Sequence, residues 1–361
     1  MKASDSPNPV LFPKQPWSNN DNPVWLASTI SLQRNIEKYK FPGKLATDRK
    51  KQIIALVSKD LLSSAIASLG QLVNPSLIKA DEIGVFEKEF IGEHFLSVHS
   101  YNQAYSGEGF ILDESGTFLV TLNMRDHIHM QLIDCQGDLE STWGRLVKIE
   151  TNLGRNLNYS FSSKFGFLTA DPTQCGTALI VTVYLQLPGL IHMNKLEKIL
   201  DASQDDSLAI TGIQGNPNEI IGDILMIQNN YTLGLTEENI ISSLRSFLSK
   251  MIAEEVNARS QIKREESPDL KDKISRAFGI LIHSYQIEAI EAMNALSLLK
   301  LGAEAGWISG IGNRELNELL FTCRRGHLLF ESKEKLSQEE IPHKRAERIH
   351  RALKDVKLLI Q

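Results

Sequence analysis

The sequence predicts an α+β chain in which a region of mixed strands and helices is followed by a helical region. Three observations carry this. Between Gly109 and Leu122, GFIL, the turn DESG and TFLVTL make a hairpin pattern, with Phe118, Val120 and Leu122 alternating with Leu119 and Thr121. The run ALIVTVYLQL (Ala178 to Leu187) is apolar on both faces, as a central strand requires. Beyond Leu235 the apolar repeat becomes helical, with Ile241, Leu244, Leu248 and Met251 on one stripe. There is no regular strand–helix alternation and neither GxGxxG nor GxxxxGK[ST], so Rossmann and P-loop folds are not favoured.

Residues 1–23 hold five of the twelve prolines among Ser, Asn and Asp, a composition that resists helix and predicts a flexible or extended arm. A helix is predicted around Lys50 to Leu69, because Ile54, Val57 and Leu61 share one face. The hairpin and the Ala178–Leu187 strand follow, and Ile220 to Gln228 is a third strand candidate. Thr236 is an N-cap for the next helix, and Glu237 and Glu238 suit its positive end. The polar run from Ala258 to Lys273 reads as a hinge or a solvated helix. A further helix carries Ala289, Met293 and Leu296, then come the glycine-punctuated GWISGIG and a charged terminal helix. These features divide the chain into the arm (1–23), a mixed domain (24–256) and a helical domain (257–361), each of the two domains with its own core.

With 361 residues and 42% hydrophobic content, the chain folds without staples. A net charge of -5 and the lack of a Lys/Arg cluster interleaved with aromatics argue against nucleic acid as a partner. Cys135, Cys175 and Cys323 form no CxxC pair and are odd in number, which fits a reducing, cytoplasmic setting. The N-terminus lacks a continuous apolar stretch and no run of about 18 apolar residues occurs, so neither export nor a membrane span is expected.

Four segments, in order, resemble the phosphagen kinases (ATP:guanido phosphotransferases): LASTISLQRN (Leu26 to Asn35), LNMRDHIHMQ (Leu122 to Gln131), DPTQCGTALIVTVYLQLP (Asp171 to Pro188) and ITGIQGNPNEIIGDILMIQNNYTLGLTEENI (Ile210 to Ile240). The C-terminal LLKLGAEAGWISGIGNRELNELL narrows the resemblance to the bacterial, McsB-like protein-arginine kinases. The resemblance implies an antiparallel sheet flanked by helices, followed by a C-terminal helical domain used for dimerisation and phosphoarginine sensing. It also implies a homodimer, and an McsA-like zinc-binding activator and Clp protease components as partners; ATP and Mg²⁺ are the family's cofactors, and no cofactor is expected to bind here.

Phosphoryl transfer to a guanidinium needs cationic clamps on the phosphates and carboxylates that hold and deprotonate the acceptor. Arginine suits the clamp because its planar fork donates in pairs. Where the family pattern reads S-S-R-I-R-L-x-R-N, this chain has Ala27 to Asn35 with Thr29 and Ser31 at the phosphate-facing arginines. N-E-E-D-H-I-R-I-Q has become Asn123 to Gln131, with Met124 and Arg125 at the two glutamates. C-P-T-N-x-G-T-G-L-R has become Asp171 to Ile180, removing the reactive cysteine, which Cys175 does not replace, and a third arginine. R-G-x-x-G-E has become Thr211 to Asn216, losing a fourth arginine and the substrate-side glutamate.

The resemblance therefore leaves no catalytic residue and no metal ligand, and points to a pseudokinase. It leaves Ser28, His94 and Gly212 as a vestigial nucleotide site, His94 matching a histidine beside the nucleotide in the family. Of the family's RDxxRA phosphoarginine pocket only Arg345 and Ala346 remain. Two further readings stay open: an active kinase with rearranged residues, and a nucleotide or phosphoarginine sensor without turnover. His127 and His129, beside Asp126, invite a metal reading, but two ligands do not close a site, and packing or hydrogen bonding is expected. Asp171, His94 and Asp126 form an acid/base set only if the fold gathers them. Arg125 is either an anion-binding group or, as the favoured reading, solvated or locally paired. His343 to Lys354 reads as the solvated face of the terminal helix.

Overall fold

The computed structural model describes residues 15–202, 206–217, 219–332 and 336–360. Its strands are β1 (Trp25–Arg34), β2 (Ser76–Lys79), β3 (Gly109–Leu112), β4 (Phe118–Leu122), β5 (Ile128–Asp134), the small hairpin β6 (Phe161–Ser162) and β7 (Gly166–Phe167), then β8 (Leu179–Gln186), β9 (Leu208–Gly212), β10 (Ile224–Asn229), β11 (Ile308–Ser309) and β12 (Lys357–Leu358). Eight of them form one antiparallel sheet in the order β2-β3-β4-β5-β1-β8-β10-β9. The predicted hairpin is β3–β4, with Gly109 opposite Leu122. The doubly apolar strand is β8, central between β1 and β10.

The helices are α1 (Thr47–Leu61), α2 (Ser64–Gly70), α3 (Val85–His94), α4 (Leu139–Gly154), α5 (Pro188–His192), α6 (Leu196–Asp201), α7 (Glu237–Glu265), α8 (Pro268–His283), α9 (Ala289–Ala305), α10 (Asn313–Thr322), α11 (Arg325–Glu331) and α12 (Ile341–Leu353). The helix expected over Lys50 to Leu69 is two, because Ser63 leaves helical geometry and its hydroxyl caps α2 by accepting from the Ile66 N–H at 3.4 Å. Along β1 the side chains alternate: Ile30 and Leu32 pack with Val57 of α1, Ile149 of α4 and Leu244 of α7, leaving Thr29, Ser31 and Gln33 on the opposite face.

The C-terminal helices share most of their core with the sheet, apart from a small cluster of Leu328, Leu329 and Ile341. Phe90, Phe95, Phe110 and Leu119 belong to one apolar cluster with Ile274, Leu299, Leu316, Phe321 and Ile349, so sheet and helical region share buried surface. Helix α7 runs unbroken past residue 256 and stops where Glu266 turns left-handed (φ 49°) before Pro268 opens α8. The polar run from Ala258 to Lys273 is therefore solvated helix on one face only and contains the α7–α8 turn, while Ala258, Arg259, Ile262 and Leu270 face inward. On α12 too, Ile341, Arg345, Ala346, Ile349 and Leu353 face inward, so only its other side is solvated.

A buried polar network crosses this junction. The Glu255 carboxylate accepts the N–H groups of Gly189 (2.9 Å) and Leu190 (2.8 Å) and pairs with Arg259, which also pairs with Glu304 and donates to the Gln186 carbonyl at 2.9 Å. Lys300, fully buried, donates to Gln186 Oε1 (2.9 Å) and Asn317 Oδ1 (2.6 Å), and Asn317 donates to the carbonyls of Asn20 and Asn22. Burial drives the Lys300 pKa well below the ordinary lysine value.

Part of the expected N-terminal arm is ordered. Residues 1–14 lie outside the described residues, but Pro16–Asn19 forms a turn that places Trp17 at 0% exposure, stacked on Phe321 with ring centroids 4.6 Å apart. Apolar burial of one large ring outweighs the local preference for extension. Among the described residues, no single helix is long and apolar enough to cross a membrane.

Candidate functional site

Strand alternation builds a cleft on the polar face of the sheet. Thr29, Ser31 and Gln33 of β1 stand beside His129 and Gln131 of β5 and Ile180, Thr182 and Tyr184 of β8, with Gln228 of β10 beyond, around a cavity of about 360 Å³. Register makes the floor contiguous, pairing Ser31 with both Gln131 and Ile180, and Thr182 with both Thr29 and Gln228. The floor is polar but uncharged. Its groups are mostly satisfied locally: Thr182 Oγ1 donates to Gln228 Oε1 (3.0 Å), Ser31 Oγ to the Ile180 carbonyl (3.3 Å), Gln131 Nε2 to the Phe95 carbonyl (2.6 Å) and Tyr184 OH to the Leu96 carbonyl (3.3 Å). Gln33 Oε1 is buried without a partner among the described residues, and it is an acceptor, unsuited to a phosphate oxygen.

Five of the altered motif positions converge here. Thr29, Ser31 and Ile180 stand where the resemblance expects arginines, and Met124 and Arg125 where it expects glutamates; all five line the cleft. Thr211, the fourth arginine position, lies on the edge strand β9 beside a different hollow. Among the described lining residues Arg125 is the one arginine or lysine, and it is engaged. Its Nη2 lies 3.4 Å from Asp171 Oδ2 and its Nη1 2.6 Å from His99 Nε2, so the paired reading of Arg125 holds. Asp171 occupies the family's cysteine position, which makes this ion pair a joint product of two replacements.

The two histidines of the cleft are held neutral. Burial, reinforced by His99 and Arg125, lowers His129 to about 4, and burial with the Arg125 charge lowers His99. Glu108 is neutralised by Lys50 at 2.8 Å. Asp126 is raised by burial although its Oδ1 accepts from Asn35 Nδ2 (2.5 Å) and the Ala170 N–H (2.7 Å).

The residues expected to form a vestigial nucleotide site are not gathered. Ser28 faces the helical side, its hydroxyl 3.3 Å from Asp134 Oδ2. His94 is fully buried between Trp17 and Phe95, its Nε2 donating to the Gly116 carbonyl at 2.8 Å; burial first, then the neighbouring His327, lowers its pKa to about 3. Gly212 ends β9 in a tight turn, where a Cβ would meet the Glu219 carbonyl at 2.0 Å. None of the three lines the cleft. The acid/base set of Asp171, His94 and Asp126 is likewise not assembled, His94 lying in the core.

Arg345, 2% exposed, donates to the carbonyls of Cys323 and Ile287, both at 2.8 Å, and Ala346 beside it is 1% exposed. Its guanidinium ties three helical segments together. His127 accepts the Ile36 N–H at Nδ1 (3.0 Å) and donates from Nε2 to the Lys40 carbonyl (2.9 Å), an ordinary hydrogen-bonding role away from His129. Among the described residues, no three of His, Cys, Asp and Glu are grouped to hold a metal ion.

Sequence reading missed β1 as a strand and the floor it forms. The period-two alternation of Thr29, Ser31 and Gln33 with Ile30 and Leu32 was the available signal.

Comparison with known proteins agrees with this architecture. Residues 49–258 match the model for the ATP:guanido phosphotransferase C-terminal catalytic domain, and residues 267–359 match that for the protein-arginine kinase McsB C-terminal domain. The chain is 34% identical over 349 residues to a protein-arginine kinase of Chlamydia pneumoniae, covering 94% of this chain and 95% of that protein. It is 33% identical to one of Halothermothrix orenii, covering 90% and 92%. In fold it resembles a lombricine kinase (TM-score 0.55, 20% identity, 70% of this chain and 73% of that one). It also resembles the duplicated taurocyamine kinase of Schistosoma mansoni (TM-score 0.54, 22% identity, 67% of this chain), of which it spans about a third, 34%. Sheet, motif order and helical C-terminal region together place the chain in the ATP:guanido phosphotransferase superfamily, as a member of the protein-arginine kinase family.

Proposed function

We propose that this chain is a pseudokinase of the protein-arginine kinase family, acting through protein binding in the regulation of protein quality control. The observation that carries the reading is the convergence of five replaced positions on one cleft: Thr29, Ser31 and Ile180 on its uncharged floor, with Met124 and the Asp171-paired Arg125 also lining it. ATP and Mg²⁺ do not fit these residues: a triphosphate would meet hydroxyls, amides and an isoleucine, and the single arginine is held by Asp171. An arginine stabilising the transferred phosphoryl group contributes about 10³ to 10⁵ in rate, and a general base about 10² to 10⁴. Those factors are not additive, but losing them together removes most of the family's reaction.

By resemblance, the proposal extends to a cytoplasmic homodimer with an McsA-like activator and Clp protease components as partners. Incubation with labelled ATP, Mg²⁺ and casein tests the central claim. No acid-labile phosphate on arginine above a heat-killed control is expected; a clear signal would sink the pseudokinase reading. A Thr29→Arg, Ser31→Arg variant should gain nucleotide binding by calorimetry, since it returns two cations to the floor.

A further inference from the structure

Behind the loop that walls the cleft lies a second cavity of about 440 Å³, set between α3, β8 and β10 on one side and α9, α10 and α11 on the other. Tyr184, Ile224, Met293, Leu320 and Phe321 give it apolar walls. A concavity of this size, in which apolar walls meet charged side chains such as Lys88, Glu93 and Arg324, has the make-up of a small-molecule site.

Its charged groups are unequally satisfied. Arg325 is paired through Nη1 with both oxygens of Glu89. Lys88 donates to the Ala104 carbonyl at 2.8 Å. The Glu93 carboxylate is turned toward His327, accepting from its backbone N–H and ring Nδ1 at 3.2 Å each. Arg324, half-buried on the cavity wall, has no carboxylate within 4.0 Å among the described residues. Its Nε donates to the Phe321 carbonyl (3.0 Å) and its Nη2 to the backbone carbonyl of Glu93 (2.7 Å), so Nη1 has no protein partner among them. Glu93 acts on Arg324 only from beyond direct pairing distance; a desolvated cation without a directly paired counterion is unfavourable, and a planar guanidinium fork matches a carboxylate. Lys88, Arg324 and Arg325 against Glu89 and Glu93 leave one net positive charge, which suits a monoanion and not a dianion.

We propose that this cavity binds a small organic monoanion, a carboxylate on a compact apolar body, with the carboxylate on Arg324 and the body against Phe321, Leu320 and Met293. The site is separate from the remnant at Arg345 and does not depend on whether the cleft is catalytic. Leu96 to Tyr101 and Tyr184 line both cavities, so a ligand here rests on the back of the cleft wall.

Calorimetry and thermal shift on the full chain test it, using phenylacetate and hexanoate, their neutral counterparts phenylacetamide and hexanamide, and inorganic phosphate. The carboxylates should bind and raise Tm, with the amides about tenfold to a hundredfold weaker. Arg324→Gln should erase that preference. Because this change also removes bonds to Phe321 and Glu93, Ile213→Trp at another lining position provides an independent variant that fills the cavity with Arg324 intact; it should abolish binding. Equal affinity of acids and amides, phosphate binding as tight as the carboxylates, carboxylate binding that survives Ile213→Trp, or no binding of either carboxylate at about 10 mM would each overturn the proposal.

Discussion

The cleft floor and the junction between sheet and C-terminal helices treat charge in opposite ways. At the junction Glu255, Arg259 and Glu304 are retained inside the molecule and bonded to one another or to backbone groups, and buried Lys300 is held by the side-chain amides of Gln186 and Asn317. On the cleft floor, the positions that face a substrate in the family are neutral, and the remaining rim charge is cancelled locally. Charge that ties elements together is kept, whereas charge that would act on a ligand is gone. Under the proposed pseudokinase reading, this separation is what a scaffold relieved of chemistry but still required to fold should look like.

The largest expected effect lies at the junction. Glu255→Ala leaves Arg259 short of a buried partner and the N–H groups of Gly189 and Leu190 without their acceptor, and should cost about 3–5 kcal/mol in urea unfolding. A loss below about 1 kcal/mol would break the comparison, making junction charges as dispensable as those of the cleft. A smaller effect comes from His94. Its folded pKa of about 3 lies below the unfolded value of about 6.5, so as pH falls below 6.5 the unfolded chain binds the proton first and stability declines. The decline attributable to His94 should reach about 2 kcal/mol at pH 5. His94→Gln keeps a donor for the Gly116 carbonyl and should flatten that part of the profile; an unchanged slope would remove His94 as its source. The smallest effect belongs to the cleft rim. The Arg125 and Asp171 side chains are 49% and 31% exposed, so a double-mutant cycle of Arg125→Ala with Asp171→Asn should give a coupling below about 1 kcal/mol.

The parts of the fold legible in the sequence were those with strong local signals. The β3–β4 hairpin announces itself by a turn between alternating runs, and β8 by its double-sided apolarity. Thr236 does cap α7, accepting from the Asn239 N–H at 3.2 Å. What escaped depends on distant partners. Trp17 sits in a proline-rich stretch, and only the surface offered by Phe321, His94 and His327 orders it. The run Ala258 to Lys273 is polar in composition, yet Arg259 is buried because Glu255, Glu304 and the Gln186 carbonyl surround it. At the candidate site the replaced positions could be read one by one, but not that Arg125 and Asp171, 46 residues apart, neutralise each other. His94 shows the same limit from the other side: its motif survives while its side chain serves the core.

The Arg125–Asp171 pair also makes its two positions depend on each other. Returning Glu to position 125 alone would crowd its carboxylate against Asp171 and Asp126, where each negative charge disfavours the others. Returning Cys to position 171 alone would strip Arg125 of its counterion while still offering no acceptor for a guanidinium. Neither single substitution would give the cleft the family's charge pattern, since Thr29, Ser31 and Ile180 would still form its floor. The pair therefore works as a lock, in which either residue changed alone leaves the other beside a like charge or without its counterion.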